Sequence, residues 1–134
     1  MEKLTGAVEY TVEPAAILEM GPSILVEIAG EPGEALLDTG AAFSVIDIDT
    51  ARDLRLAQDP EGYEVVGATG GGSYPRFQTT LQIPALDFTV RPPIPGLPLM
   101  EHGHPWIAII GRDVLCRYEF SVNGQTGLIR FSNT

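Results

Sequence analysis

One short apolar run that ends in a carboxylate constrains this chain more than any other feature. Glu34-Ala35-Leu36-Leu37 reads as a core strand, and it leads directly into Asp38-Thr39-Gly40-Ala41. A buried, unpaired carboxylate is strongly unfavourable unless it finds a partner or takes up a proton. No Lys, Arg or His flanks Asp38 on either side. A second carboxylate sharing one proton with the first would hold such a group in place. The segment therefore predicts that Asp38 enters the interior or the floor of a cleft.

The rest of the chain limits what can surround that strand. With 134 residues, it is expected to be one domain with a real core. The many glycines and prolines punctuate short strands and predict an all-β barrel or sandwich. No segment is long and apolar enough to cross a bilayer, and Met1 to Gly6 shows no signal-peptide core. A formal charge of −10 argues against nucleic acid and anionic membranes as partners. Cys116 is the single cysteine, so no internal disulfide can form; this fits a reducing compartment and a cytoplasmic location. We read Cys116 as a small buried hydrophobe rather than a catalytic thiol.

Residues 1–22 are expected to form an N-terminal arm or edge strand, with Val8 to Val12 alternating, and residues 23–134 the functional domain. Ser23 to Ala29 reads as a strand, Gly30 to Gly33 as a turn, and Asp49 or Thr50 as the cap of a short helix ending near Leu54. Tyr63 to Ile83 reads as a hairpin with a glycine-rich tip, and Leu86 to Val90 as a strand. Pro92 to Pro105 reads as an extended loop. Trp106 to Ile110 reads as a buried central strand that breaks at Gly111 and opens a short helix. Tyr118 to Val122 and Gly127 to Phe131 form a terminal hairpin.

Three elements in this order resemble the retropepsin-like (retroviral-type) aspartic proteases. They are Ala35 to Ala41, the glycine-rich segment Val65 to Tyr74, and Ile109-Ile110-Gly111-Arg112-Asp113-Val114-Leu115. Asp-Thr-Gly alone is a weak signal, whereas the ordered set is specific, and it covers roughly Ser23 to Phe131. The resemblance implies a closed β-barrel-like lobe with one short C-terminal helix, working as a homodimer on peptide or protein substrates without a cofactor. In such enzymes one carboxylate activates a water and its protonated twin donates to the scissile carbonyl. This chain has one such motif, since Asp47, Asp49, Asp53, Asp59, Asp87 and Asp113 lack its context. The second carboxylate would come from a second chain, and the subunits would meet along the cleft and through terminal strands.

By resemblance, Asp38, Thr39 and Gly40 are the catalytic positions, with the Thr39 hydroxyl bonding across the dimer. Ala41, Gly67, Ala68, Thr69, Gly70, Gly71, Ile107 and Ile109 would touch substrate. Gly70-Gly71-Gly72 could instead be a slack loop, but the β-type residues flanking them favour a hairpin that bends at its tip, and the isoleucines could equally be plain core. Arg112 matches an arginine that buttresses the catalytic loop, but the acidic partner found in retroviral enzymes is replaced by Ala42. His102-Gly103-His104 offers too few ligands for a metal and reads as a loop contact near the cleft. The competing reading of the whole chain is a non-catalytic dimeric peptide-binding or assembly module of the same fold.

Overall fold

The computed structural model describes residues 6–60, 63–67 and 70–133, without the side chains of 63–67, 70 and 71. Its architecture is mainly β, with few helices. Ala7–Thr11 forms β1, and Pro14–Met20 forms a short helix, α1, which the sequence reading did not anticipate. Pro14 opens the helix because its fixed φ and missing N–H suit a first turn. Gly21, at φ 90°, ends it.

Ser23–Ile28 (β2) and Glu31–Leu37 (β3) pair antiparallel around Ala29-Gly30. Both turn residues have positive φ, the pattern of a primed hairpin turn. The strand reading of 24–28 holds, but the turn falls two residues earlier than Gly30 to Gly33 suggested. Along β2 the side chains alternate: Ile24, Val26 and Ile28 are buried while Leu25 faces out. Val45–Asp47 (β4) leads into Ile48–Asp53 (α2). The cap of α2 is Asp47, not Asp49 or Thr50. Its carboxylate accepts the Thr50 N–H and hydroxyl through Oδ2 and the Met100 N–H through Oδ1. These bonds explain how a fully buried acid is tolerated at this position.

Tyr63–Gly67 (β5) and Gly70–Tyr74 (β6) form the glycine-rich hairpin, with Gly67 opposite Gly70. Arg76–Phe77 (β7), Leu81–Ile83 (β8) and Phe88–Val90 (β9) follow, and Leu86 lies in a 3-10 turn before β9 rather than in a strand. The proline-rich stretch is not wholly a loop either. Ile94–Leu97 is β10, and it accommodates Pro95 because its pairing with β4 is carried by Gly96 and Leu97. Ala108–Ile110 is β11, Arg112–Leu115 is α3, and Glu119–Val122 (β12) and Leu128–Ser132 (β13) make the terminal hairpin.

Eight strands form one curled half-barrel sheet in the order β7-β10-β4-β11-β3-β2-β8-β9. β1, β13 and β12 form a second, three-stranded sheet with β13 in the middle. The core lies between these layers, with Ile24, Val26, Ile28, Phe77, Ile110 and Phe131 among its fully enclosed side chains. Among the described residues no helix is long and apolar enough to cross a membrane. Cys116 corrects the sequence reading. It is exposed, because four-residue α3 turns Val114 and Leu115 inward and leaves the following cysteine on the outside.

Candidate active site

The position of Asp38 follows from one topological feature. β3 and β4 are consecutive in the chain, but they do not pair with each other. β11 lies between them, parallel to β3 and antiparallel to β4. The connection 38–44 must therefore cross over the C-terminal end of β11. Its backbone is tied there at every stage. The Asp38 N–H donates to the Ile110 carbonyl at 2.9 Å, the Arg112 N–H to the Ala41 carbonyl at 2.8 Å, and the Asp113 N–H to the Ala42 carbonyl at 3.3 Å.

Gly111 lies directly beneath the crossing. A Cβ built there would stand 2.8 Å from the Ala41 oxygen, 2.8 Å from the Phe43 carbonyl carbon and 2.9 Å from its oxygen. Its φ of −97° is available to any residue. Glycine is therefore required by the close approach of two backbones and not by its torsion angles. This close packing brings the Gly-Arg-Asp element and the Asp-Thr-Gly element together.

The side chains reinforce the crossing. The Arg112 guanidinium donates to the Thr39 carbonyl at 2.7 Å. Arg112 therefore supports the loop through a backbone oxygen, and the absence of an acid at Ala42 leaves that contact intact. Sequence reasoning missed a second brace. Buried Ser44 donates its N–H and its hydroxyl to the Asp113 carboxylate and accepts the Gly111 N–H on Oγ at 3.1 Å. Asp113 was visible in the sequence only as an acid without a catalytic context, and nothing in the spacing pointed to Ser44.

Asp38 itself is half-buried. Its Oδ1 accepts the Gly40 N–H at 2.8 Å, and among the described residues its carboxylate forms no ion pair. Thr39 and Gly40 are exposed, and Ala41 is half-buried. Ile107 and Ile109 lie half-buried on one side of β11, while Ala108 and Ile110 point into the core. Leu36 joins them, since it is half-buried and in register with Ile109. The alternation of buried Ala35 and Leu37 around it could have shown that Leu36 shares this outer face.

Gly67, Gly70 and Gly71 belong to the β5–β6 hairpin, while Ala68 and Thr69 lie outside the described residues. The hairpin's base is fastened to the main sheet by the Gly96 N–H donating to the Pro75 carbonyl. A shallow pocket of about 190 Å³ opens beside the crossing loop, lined by Phe43, Ser44, Arg76, Arg91, Ile94 and Asp113 among others. Ile107 and Ile109 are not part of it. His104 stacks on Trp106 with ring centroids 4.9 Å apart, and the described residues hold no cluster suited to a metal ion.

A mostly β lobe, with an Asp-Thr-Gly loop crossed and pinned by a Gly-Arg-Asp turn, defines an aspartic protease fold. The comparisons agree. The aspartyl protease family model matches residues 24–90, half of the chain, and the protein belongs to that family. Among solved structures, the chain is similar to EIAV protease complexed with the inhibitor HBY-793. The match has 25% identity and a TM-score of 0.51, and it covers 71% of this chain and 85% of that one. No curated protein sequence matches the chain.

Proposed function

We propose that this protein is a homodimeric retropepsin-like endopeptidase whose active site forms when two Asp38 loops face each other across a two-fold axis. The observation that carries this reading is a half-buried carboxylate, without an ion pair among the described residues, on a loop braced from below by Gly111, Arg112 and Ser44. Rigid bracing suits a group that has to be held in position for chemistry. One ionised Asp38 removes a proton from water as that water attacks the scissile carbonyl. The partner's Asp38, protonated, donates to the carbonyl oxygen and leaves a gem-diol.

In this reading the β5–β6 hairpin is a flap. Its backbone amides would bind an extended peptide, and its glycines allow close approach. Leu36, Ile107 and Ile109 would line the walls beside the scissile bond, and the Thr39 hydroxyl would bond to the partner's loop. Asp38→Asn tests the proposal. It should abolish cleavage of a peptide library while preserving the far-UV spectrum and the dimer. A variant that cleaves at near wild-type rate would exclude the dyad and favour the non-catalytic reading.

A further inference from the structure

Helix α1 is only partly packed within the single chain, with Pro14, Ala16 and Ile17 half-buried. It has seven residues, no side-chain hydrogen bond at its cap and no buried residue. A helix so short is marginal without packing. Yet Leu18 is 88% exposed and Met20 42%, two of the five exposed large hydrophobic side chains among the described residues. Glu19 is the only charge in Pro14–Met20, although the chain as a whole carries −10. Leu18, an almost fully exposed apolar side chain on a helix that carries a single charge, is where a second copy of so acidic a chain could approach with little repulsion.

The location of α1 points to the same occupant. The helix ends at Gly21, where an added Cβ would meet Leu36 Cδ1 at 2.7 Å, and the Leu37 N–H donates to the Pro22 carbonyl at 2.9 Å. The end of α1 is therefore tied to the strand that delivers Asp38. Leu18 lies one helical turn back, about 5 Å further along. In the terminal sheet the edges open to a partner strand are the outer ones of β1 and β12. β13 pairs with β1 on one side and with β12 on the other, so both of its edges are occupied within its own chain.

We propose that α1 belongs to the two-fold interface, with Leu18 of each copy packing against the partner copy beside the paired Asp38 loops. This rests on the dimeric-protease reading above, because the site is incomplete without the second copy. A two-fold contact uses each residue twice, so a single substitution acts on both halves.

The test combines sedimentation over a dilution series with peptidase assays on wild type, Leu18→Glu, Asp38→Asn and Ala85→Glu. Ala85 is exposed on the turn before β9 and controls for added charge. Leu18→Glu should raise the dimer dissociation constant at least about thirtyfold, as for a central interface residue, and activity should return as protein concentration rises. Ala85→Glu should behave as wild type. Hydrogen exchange of wild type at concentrations above and below the transition needs no variant, and the amides of residues 15–21 should slow in the dimer. An unchanged dimer constant for Leu18→Glu, equal exchange of 15–21 in both states, or a wild type that stays monomeric overturns the proposal. Loss of activity in Asp38→Asn beside an unaffected Leu18→Glu dimer would leave the protease reading standing and remove only this interface. A dissociated Leu18→Glu beside a fully active Asp38→Asn would do the reverse.

Discussion

Ser44→Ala removes one oxygen atom from beneath the crossing loop, and its effect can be worked out from the contacts. The Ser44 hydroxyl bridges two elements: it donates to Asp113 Oδ1 at 2.8 Å and accepts the Gly111 N–H at 3.1 Å. The two partners lose unequally. Asp113 keeps the Ser44 N–H and its contact with the Val114 N–H, so its carboxylate remains well supplied. Gly111 is buried, and its N–H would be left without an acceptor.

An orphaned buried donor costs about 1–3 kcal/mol, and a hydrogen bond to a charged acceptor contributes about 1.5–3 kcal/mol. Both losses come from one hydroxyl, so they overlap, and about 2–3 kcal/mol is expected in total. Water cannot easily substitute, because the space vacated by one oxygen is smaller than the roughly 30 Å³ a water occupies in the liquid. Urea denaturation should show a lower midpoint with an unchanged slope. The melting temperature should fall by about 10 °C at roughly 4 °C per kcal/mol. Ser121→Ala, at an exposed position on β12, should stay within about 0.5 kcal/mol of wild type. If Ser44→Ala is equally silent, the hydroxyl does not brace the loop and the account of the crossing fails.

Other consequences follow from single contacts. Gly111→Ala forces a methyl group against the Ala41 and Phe43 backbone and should lower stability by about 1–3 kcal/mol. Because the displaced backbone follows Asp38-Thr39-Gly40, kcat should fall more steeply than the folded fraction, which single-turnover assays would show. Tyr10 donates to the Ser23 carbonyl, and burial, followed by the nearby Glu34 charge, pushes its pKa well above the ordinary tyrosine value. The folded state therefore holds this proton more tightly than the unfolded chain does. The resulting stability is fully present below the unfolded pKa of about 10 and is lost as pH rises beyond it. Tyr10→Phe should flatten the alkaline limb of a stability–pH curve while costing about 1 kcal/mol at neutral pH; an unchanged limb would mean that Tyr10 does not drive it. If β5–β6 is a flap, a peptide-like inhibitor should slow hydrogen exchange across residues 63–74, and equal exchange with inhibitor demonstrably bound would rule out a lid.

Elements whose physics is local were the ones legible beforehand. The alternation in β2, the run into Asp38, the glycine-rich hairpin and the terminal hairpin all rest on neighbours within a few residues. α1 was missed because Pro14 and Gly21-Pro22 read as interruptions, whereas here Pro14 opens a helix and Gly21 closes it. β10 was missed because prolines argue against a strand, and only the two-sided pairing shows how Pro95 is tolerated. Cys116 reads as buried in the sequence because a four-residue helix has too little periodicity to say which way the side chain that follows it turns.

The braces at the candidate site were hidden for a different reason. The resemblance pairs Arg112 with an acid, Ala42 stands in that acid's place, and the sequence leaves the partner of Arg112 open. A guanidinium can instead hold a loop through a carbonyl oxygen, and every residue carries one, so no side-chain pattern could have revealed Thr39 as its partner. The same applies to Gly111, where the required property is the absence of an atom at a crossing of two backbones. Sequence motifs record the side chains that chemistry needs. The geometry that positions Asp38 rests on contacts with a main-chain group on at least one side, between segments about seventy residues apart, and only the fold brings them together. Substitutions that preserve those main-chain contacts, such as Ala42 in place of an acid, can leave the loop in position even where they depart from the family pattern.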